Sequence, residues 1–301
     1  MLSFALIFAV SLFFSGIVVR TKSLASGRKE PGIFQPMRDI WRSLRKGAVY
    51  SSVSSLVFRI APSVYFASVL AAIAVVPLGS NAGLFSFPCD FVFFAYVLAL
   101  GKFFCIIAAL DTGSSFEGMG ASREALFSML AEPAFFVLMG TLGLITGHTS
   151  FLQIFSDLHL GSSLSYALVT IACFLLLMIC MIENSRMPVD DPKTHLELTM
   201  IHEVMILDNS GFDLGLILHA TNLKFAMYGA LIANLFIGNL EVAMAVPMFL
   251  AIQFVVAVAA GIIESFMARF RMGHNAQFIL VLSSLALLML FGVMLMQGQI
   301  N

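Results

Sequence analysis

Eight long apolar runs constrain the fold of this chain more than any other feature of its sequence. Each run is close to the roughly 20 residues that an α-helix needs to cross about 30 Å of hydrocarbon. A bilayer offers no water to backbone N–H and C=O groups, so apolar segments of this length are expected to be helical. The runs lie at residues 2–19, 61–79, 91–109, 125–146, 164–182, 214–237, 242–263 and 276–296.

The composition agrees with a protein that resides in a membrane. Of the 301 residues, 60% are hydrophobic and only 11% are charged, whereas soluble domains average about 25% charged residues. The net charge of −1 gives no basis for nucleic-acid binding. The sequence therefore predicts an all-α integral membrane protein, with one polytopic domain over residues 1–301 and eight transmembrane helices.

Lysine and arginine residues are concentrated in alternate loops, and this distribution predicts the orientation. Nine of the sixteen lie between Arg20 and Arg59, and five more follow the third, fifth and seventh runs. Basic residues favour the cytoplasmic side, so we expect both termini on the outer side of a prokaryotic cytoplasmic (inner) membrane. The predicted cytoplasmic loops are residues 20–60, 110–124, 183–213 and 264–275.

The first cytoplasmic loop contains a short amphipathic segment. Four apolar residues recur there at i, i+3, i+4 and i+7, opposite a basic face. They are Met37, Ile40, Trp41 and Leu44. We predict a cytoplasmic interfacial helix that rests on anionic lipid headgroups. The same surface is also suited to docking a soluble partner.

The loop at 183–213 carries an unusual concentration of acidic residues. It holds seven of the chain's seventeen. Because ionised carboxylates are costly in hydrocarbon, we expect this loop to organise the cytoplasmic face of the protein. Its acidic residues are Glu183, Asp190, Asp191, Glu197, Glu203, Asp208 and Asp213.

Four charged residues fall inside or near the ends of the apolar runs. Glu132 and Lys224 lie well inside theirs, where a lysine or an aspartate costs about 2.5–3.5 kcal/mol. An interhelical ion pair and a station on a proton path are both open for Glu132, whereas an ion pair is favoured for Lys224. Lys102 and Glu264 lie near cytoplasmic ends, where a long side chain can extend to the interface.

Local signals place the start of the fourth span. Ser122 precedes Arg123, Glu124 and an apolar run, which is the pattern of a helix N-cap followed by acid in the first turn. Asp111 is predicted to close the preceding helix.

Cysteine usage gives no sign of a metal cluster. The four cysteines are Cys89, Cys105, Cys173 and Cys180, and no Cys-x-x-Cys pair occurs. Iron–sulfur and zinc sites need clustered thiolates. The sequence also contains no P-loop and no dinucleotide-binding fingerprint. We therefore predict that the chain binds no metal or cofactor of its own.

Four motifs in the predicted cytoplasmic loops resemble those of a known family. They are Pro31-Gly32-Ile33-Phe34-Gln35 with Arg38-Asp39-Ile40; Leu110-Asp111-Thr112-Gly113-Ser114 with Gly118 and Gly120-Ala121-Ser122-Arg123-Glu124; Glu183-x-x-Arg186-x-Pro188-x-Asp190 with Glu197-Leu198; and Glu264 with Ala268-Arg269-x-Arg271. Together they make the chain similar to the H subunit (subunit 1) of respiratory complex I and to its relatives in membrane-bound group 4 [NiFe] hydrogenases. The residue patterns of these motifs are closer to the hydrogenase-4 and formate hydrogenlyase branch than to complex I.

The resemblance implies a function and partners. Proteins of this kind anchor a soluble arm to the membrane and couple its electron transfer to the translocation of protons or sodium ions. The implied partners are an iron–sulfur small subunit, a hydrogenase-like large subunit and antiporter-like membrane subunits. The soluble arm is expected to carry [4Fe-4S] clusters, and a [NiFe] centre is the further cofactor that the resemblance suggests.

The resemblance also implies roles for individual residues. Glu132 and Glu183 match the family's buried acidic path, and the predicted ion-coupling path comprises Glu132, Glu183, Glu264 and Lys224. No catalytic or metal-binding residue is predicted. The predicted docking and junction residues are Arg38, Asp39, Asp111, Arg123, Glu124, Arg186, Asp190, Asp191, Glu197 and Glu203.

Two other functions remain open from the sequence. A quinone-binding subunit of a complex I-like NADH dehydrogenase keeps the same family and holds a quinone headgroup between the loops. A secondary transporter is a different class, and many transporters contain inverted repeats. The halves at 1–150 and 151–301 show no convincing repeat.

Overall fold

A computed structural model describes residues 1–27, 29, 32–158, 163–190 and 200–298. Within these ranges every extended regular element is an α-helix. Eight of the helices are long and apolar enough to cross a membrane. The predicted all-α membrane fold with eight spanning helices is therefore confirmed.

Each long helix coincides with one of the predicted apolar runs. They are α1 (Leu2–Ser26), α3 (Leu56–Val75), α4 (Asp90–Asp111), α5 (Ser115–Thr146), α7 (Ser163–Glu183), α9 (Gly211–Ile237), α10 (Val242–Phe266) and α11 (Met272–Met296). Three short helices lie between them among the described residues: α2 (Gln35–Leu44), α6 (Phe151–Ser156) and α8 (His202–Met205).

Helix α5 begins ten residues before the predicted apolar run at 125–146. It starts at Ser115 and runs for 32 residues, so the prediction that Ser122 caps it is wrong. The Ser122 hydroxyl instead donates to the carbonyl of Met119 inside the helix. The charges that suggested a loop are satisfied by protein groups, since the Glu117 carboxylate accepts a 2.8 Å hydrogen bond from the amide of Asp208.

Helix α9 is the centre of the bundle. It packs against α1, α2, α3, α7 and α10, and most of its residues are buried. Two polar side chains fix these contacts: Gln253 donates to the Ala226 carbonyl at 2.8 Å, and Asn234 bonds the backbone at Pro77 and Gly79. Interhelical hydrogen bonds of this kind are used to hold membrane helices together.

The predicted amphipathic helix is present as α2, but its apolar face is divided. Ile40 is buried, and Leu44 lies against Gly215 of α9. Trp41 is 52% exposed, with the Arg45 guanidinium 4.9 Å from the centre of its ring. Ile40 and Leu44 therefore face the protein, and Trp41 is left exposed. The contact of this helix with lipid headgroups stays a prediction.

Candidate ion-coupling site

Four charged side chains meet inside the bundle, each supplied by a different spanning helix. They are Lys102 of α4, Glu124 of α5, Glu183 of α7 and Lys224 of α9, and all are at most 8% exposed. Two ammonium groups and two carboxylates make this buried cluster formally neutral. Buried charges are tolerated only when they are paired and hydrogen-bonded, and these four satisfy that requirement together.

Lys102 is the hub of the buried cluster. Its Nζ lies 2.8 Å from Glu183 Oε2 and 3.4 Å from Glu124 Oε1, and it donates a 2.8 Å hydrogen bond to the Ser128 hydroxyl. The other oxygen of Glu124 accepts from the Ser185 hydroxyl at 3.0 Å. One ammonium therefore joins carboxylates from two different helices.

Lys224 attaches the end of α7 to the centre of the bundle. Its Nζ is 3.7 Å from Glu183 Oε2 and also donates to the backbone carbonyl of Glu183. Glu183 is the last residue of α7, and the last carbonyls of a helix lack partners within the helix. A cation at this position also interacts favourably with the negative end of the helix dipole.

Glu132 lies about 12 Å beyond Glu124 along α5, eight residues at 1.5 Å each. It is half-buried. Together with Lys102, Glu183 and Tyr228 it borders a cavity of about 30 Å³. On its other side Glu132 borders an open groove of about 450 Å³ between α4 and α5. Of the predicted path residues, Glu132 is the one that faces both the buried cluster and the outside of the bundle.

Glu264 belongs to a second ion cluster. Its side chain is 1% exposed and pairs with Lys22 at 3.0 Å and with Arg186 at 2.9 Å. The Arg186 guanidinium also lies 5.5 Å from the centre of the Phe225 ring. The structure thus separates Glu264 from the Glu183–Lys224 pair and joins it to Arg186, a residue predicted to belong to a docking loop.

Asp190 joins two stretches of the acidic loop, residues 183–190 and residues 200–213. Its carboxylate is 3.1 Å from Arg269 and accepts 3.1 Å hydrogen bonds from the amides of Ile201 and His202. Arg123 reinforces this arrangement by donating to the Met200 carbonyl at 3.0 Å. Asp190 is only 1% exposed, so its contacts here are internal.

The other predicted docking residues lie in different settings. Arg38 and Asp39 are exposed on α2. Asp111 ends α4, where its carboxylate accepts a 2.7 Å hydrogen bond from the amide of Ser55. Glu203 is half-buried in α8. Asp191 and Glu197 lie outside the described residues.

Sequence reasoning missed the role of Lys102. The expectation that it extends to the interface is wrong, because it is 7% exposed and paired inside the bundle. The position of Lys102 in the sequence could have indicated this, because it lies nine residues, or about 14 Å, before the end of α4. Glu264 likewise does not reach the surface. Its partners Lys22 and Arg186 are brought to it by α1 and by the loop after α7.

His202, in α8, is a further residue at this site that the predicted ion-coupling path did not include. It borders a cavity of about 10 Å³ together with all four residues of the buried cluster. Its Nε2 atom is buried and has no hydrogen-bond partner. Burial, followed by the nearby Lys224 and Lys102 ammonium groups, lowers the pKa of His202 to about 4. The imidazole is therefore neutral at neutral pH.

The described part of the chain offers no group of three or more His, Cys, Asp or Glu side chains placed to hold a metal ion. The cavities of about 10 and 30 Å³ beside the buried cluster have room for single water molecules. A quinone ring does not fit in either of them. The described residues bring together a set of titratable side chains here, and such groups can take up and release protons.

Comparison with known proteins identifies the family. Hydrogenase-4 component C of Escherichia coli (strain K12) is 33% identical over 226 residues, covering 74% of this chain and 70% of the relative. Formate hydrogenlyase subunit 4 of the same organism is 29% identical over 280 residues, covering 88% of each. A chain of the membrane-bound sulfane sulfur reductase, an archaeal respiratory membrane complex, has the same fold. The TM-score is 0.81 at 17% identity, with 97% of both chains covered.

The sequence model of the NADH dehydrogenase family matches residues 1–295, nearly the whole chain. This match confirms the predicted resemblance to the subunit 1/H group, and both bacterial relatives come from the branch that the loop motifs indicated. The chain belongs to the NADH dehydrogenase family, subunit 1/H group.

Proposed function

We propose that this protein is the membrane-anchor and ion-coupling subunit of a multisubunit redox complex of the hydrogenase-4 and formate hydrogenlyase type. The observation that carries the proposal is the buried cluster of Lys102, Glu124, Glu183 and Lys224. It lies where the acidic loop enters the membrane bundle, so it adjoins both the loops and the interior.

The neutrality of the buried cluster makes it sensitive to charge. Each carboxylate is paired with an ammonium group, and removal or addition of one proton leaves a buried charge without compensation. Such a charge costs several kcal/mol in the interior. A charge change at the loops therefore alters the protonation that the cluster favours, and Lys102 passes that change between Glu124 and Glu183 because it contacts both.

Glu132 is the proposed exit from the buried cluster. It shares the cavity of about 30 Å³ with Lys102 and Glu183 and opens on the groove between α4 and α5. A membrane subunit seated in that groove is in a position to accept the ion. We assign this place to an antiporter-like subunit, and the transported ion to a proton or a sodium ion.

The loop ends and α2 are the proposed docking surface for the soluble arm. Arg38 and Asp39 are exposed there, whereas Asp190 and Arg186 act from within by fixing the loop ends against Arg269 and Glu264. The proposed partners are an iron–sulfur small subunit and a hydrogenase-like large subunit, which carry the [4Fe-4S] clusters and a [NiFe] centre. We place the complex in the cytoplasmic membrane with both termini outward.

The competing functions have weaker support. Quinone binding needs a space of ring size, and the two enclosed cavities at the buried cluster are too small for it, whereas the open groove of about 450 Å³ beside Glu132 is not. A secondary transporter is expected to place its ion site near the midplane. Here Glu183 ends α7 and Glu264 lies two residues before the end of α10, while Lys102 and Lys224 reach Glu183 from deeper in α4 and α9.

The test uses the intact complex in sealed vesicles. In Glu183→Gln and Glu132→Gln variants the amide keeps the size of the side chain but cannot titrate. We expect electron transfer to an artificial acceptor to remain, while the number of ions translocated per electron falls. Glu241→Gln is the matched control, because Glu241 is exposed at the start of α10, at the other end of that helix from Glu264. An unchanged ion-to-electron ratio in both variants contradicts the proposal.

A further inference from the structure

The imidazole of His202 is held over the buried cluster by the backbone of its own segment. The amides of Ile201 and His202 both donate to Asp190, at 3.1 Å each, and Asp190 is paired with Arg269. Val204 of α8 packs closely against Gly120 of α5. The position of the ring is therefore fixed from two sides.

The cavity beneath the ring has the size and the lining of a water site. Its volume is about 10 Å³, which is close to what one water molecule requires. The His202 Nε2 atom is buried and unpartnered, and leaving such an atom unsatisfied costs about 1–3 kcal/mol. Polar groups from four spanning helices and from the end of α7 line the rest: Tyr65, Lys102, Glu124, Glu183, Asn184, Thr221 and Lys224.

The charges that face His202 keep it neutral in the resting state. Lys102 and Lys224 oppose its protonation, whereas Glu124 favours it, and burial lowers the pKa further. Tyr65 and Cys105 of the same cavity are uncharged at neutral pH. In a neutral imidazole one ring nitrogen carries the proton and the other accepts a hydrogen bond. A gain of negative charge near the cluster raises the proton affinity of the ring.

We propose that this cavity binds one water molecule and that His202 exchanges a proton with the buried cluster through that water. The inference rests on the proposed ion-coupling function and adds a residue to it. When a proton resides on Glu124, it passes to the water, and a proton of the water passes to Nε2. The carboxylate regains its negative charge, the imidazole becomes positive, and the water is regenerated.

The first test replaces His202 in the intact complex. His202→Gln keeps hydrogen-bonding capacity but cannot carry a proton. We expect ion translocation to slow by about tenfold or more, since positioned acid–base groups contribute about 10²–10⁴-fold, while electron transfer to an artificial acceptor is retained. The matched control is His274→Gln, because His274 is exposed at the start of α11. Equal translocation by His202→Gln and His274→Gln overturns the inference.

Glu183→Gln in the same preparation separates this inference from the proposed function. If it uncouples the complex while His202→Gln does not, the coupling function stands and the role of His202 is wrong. If Glu183→Gln, Glu132→Gln and His202→Gln all leave the complex coupled, both are wrong.

The second test needs no variant. A high-resolution electron cryomicroscopy map of the complex should show one water density within about 2.7–3.2 Å of His202 Nε2 and within hydrogen-bond distance of Lys102 or a carboxylate of the buried cluster. A cavity without such density, or one closed by a protein side chain, overturns the water site.

Discussion

Replacing Lys102 with methionine is the sharpest test of the buried cluster. Methionine keeps a flexible chain of similar length but removes the ammonium group. Glu124 and Glu183 then remain buried at 5% and 8% exposure, and both lose their shared partner. We expect the membrane bundle to loosen around α4, α5 and α7.

The magnitude follows from the geometry. With an effective dielectric constant near 20, unit charges at the observed 2.8 and 3.4 Å attract by about 6 and 5 kcal/mol. The desolvation cost of the ammonium disappears with it, so the net penalty for breaking a buried pair is about 3–5 kcal/mol. Glu183 keeps Lys224 at 3.7 Å, and we therefore expect about 3 kcal/mol.

The assay is the modification rate of the Cys105 thiol, measured by peptide-resolved mass spectrometry on the intact complex. Cys105 is 7% exposed and borders the same cavity as Lys102, so it reacts only when the bundle opens. A loss of about 3 kcal/mol corresponds to roughly 150-fold faster labelling. The exposed Cys89 provides the internal standard for reagent activity.

Two further variants make the result decisive. Lys46→Met removes an exposed lysine after α2 and should leave Cys105 labelling unchanged. Adding Glu124→Gln to Lys102→Met should restore part of the protection, because it removes one stranded carboxylate and residues in one network are not additive. If the Cys105 labelling rate in Lys102→Met is within about twofold of the rate in Lys46→Met, the ammonium group does not hold these helices together. The loss of a buried ion pair should accelerate labelling far more than twofold.

Three other predictions concern α8 and the topology. The pKa of His202 is lowered to about 4 from an unfolded value near 6.5. Its contribution to the free energy of unfolding is therefore full above pH 6.5 and is lost as the pH falls towards 4. Up to about 3 kcal/mol of hydrogen-exchange protection at residues 200–206 should disappear over that range, and His202→Gln should abolish this dependence. Gly120→Ala places a methyl group against Val204 and should make α8 more accessible to proteases at a cost of about 1–3 kcal/mol; wild-type cleavage kinetics would contradict that packing. Single cysteines at Ser26 and Gln297, both exposed, should react with an impermeant reagent from opposite sides of the membrane, and labelling from one side would contradict eight spans.

The sequence was sufficient to predict the spanning helices because each is a nearly uncharged run of the right length. It misplaced the start of α5 because Glu117, Arg123 and Glu124 resemble a loop. Their partners are Asp208, Met200 and Ser185, which lie 91, 77 and 61 residues away. Local pattern cannot show that such charges are satisfied inside the fold.

The ion pairs of the buried cluster could not be predicted from local pattern either. Sequence reasoning identified Glu183 and Lys224 as candidates, but the partner that joins Glu183 to Glu124 is Lys102, which is 81 residues from Glu183. Pairing of that kind depends on how α4, α5 and α7 pack, and neither spacing nor hydropathy encodes it. The separation of Glu264 into a cluster with Lys22 and Arg186 is a second consequence of packing.

We propose that Glu183 and Glu132 change protonation when the redox arm turns over. Redox-induced infrared difference spectroscopy on the intact complex measures this directly, because protonated and ionised carboxyl groups absorb in separate regions. We predict a carboxyl signal that shifts in D₂O, appears with reduction of the soluble arm, and is lost in Glu183→Gln or Glu132→Gln but kept in Glu241→Gln. A difference spectrum that is identical in the wild type and in all three variants would contradict the account.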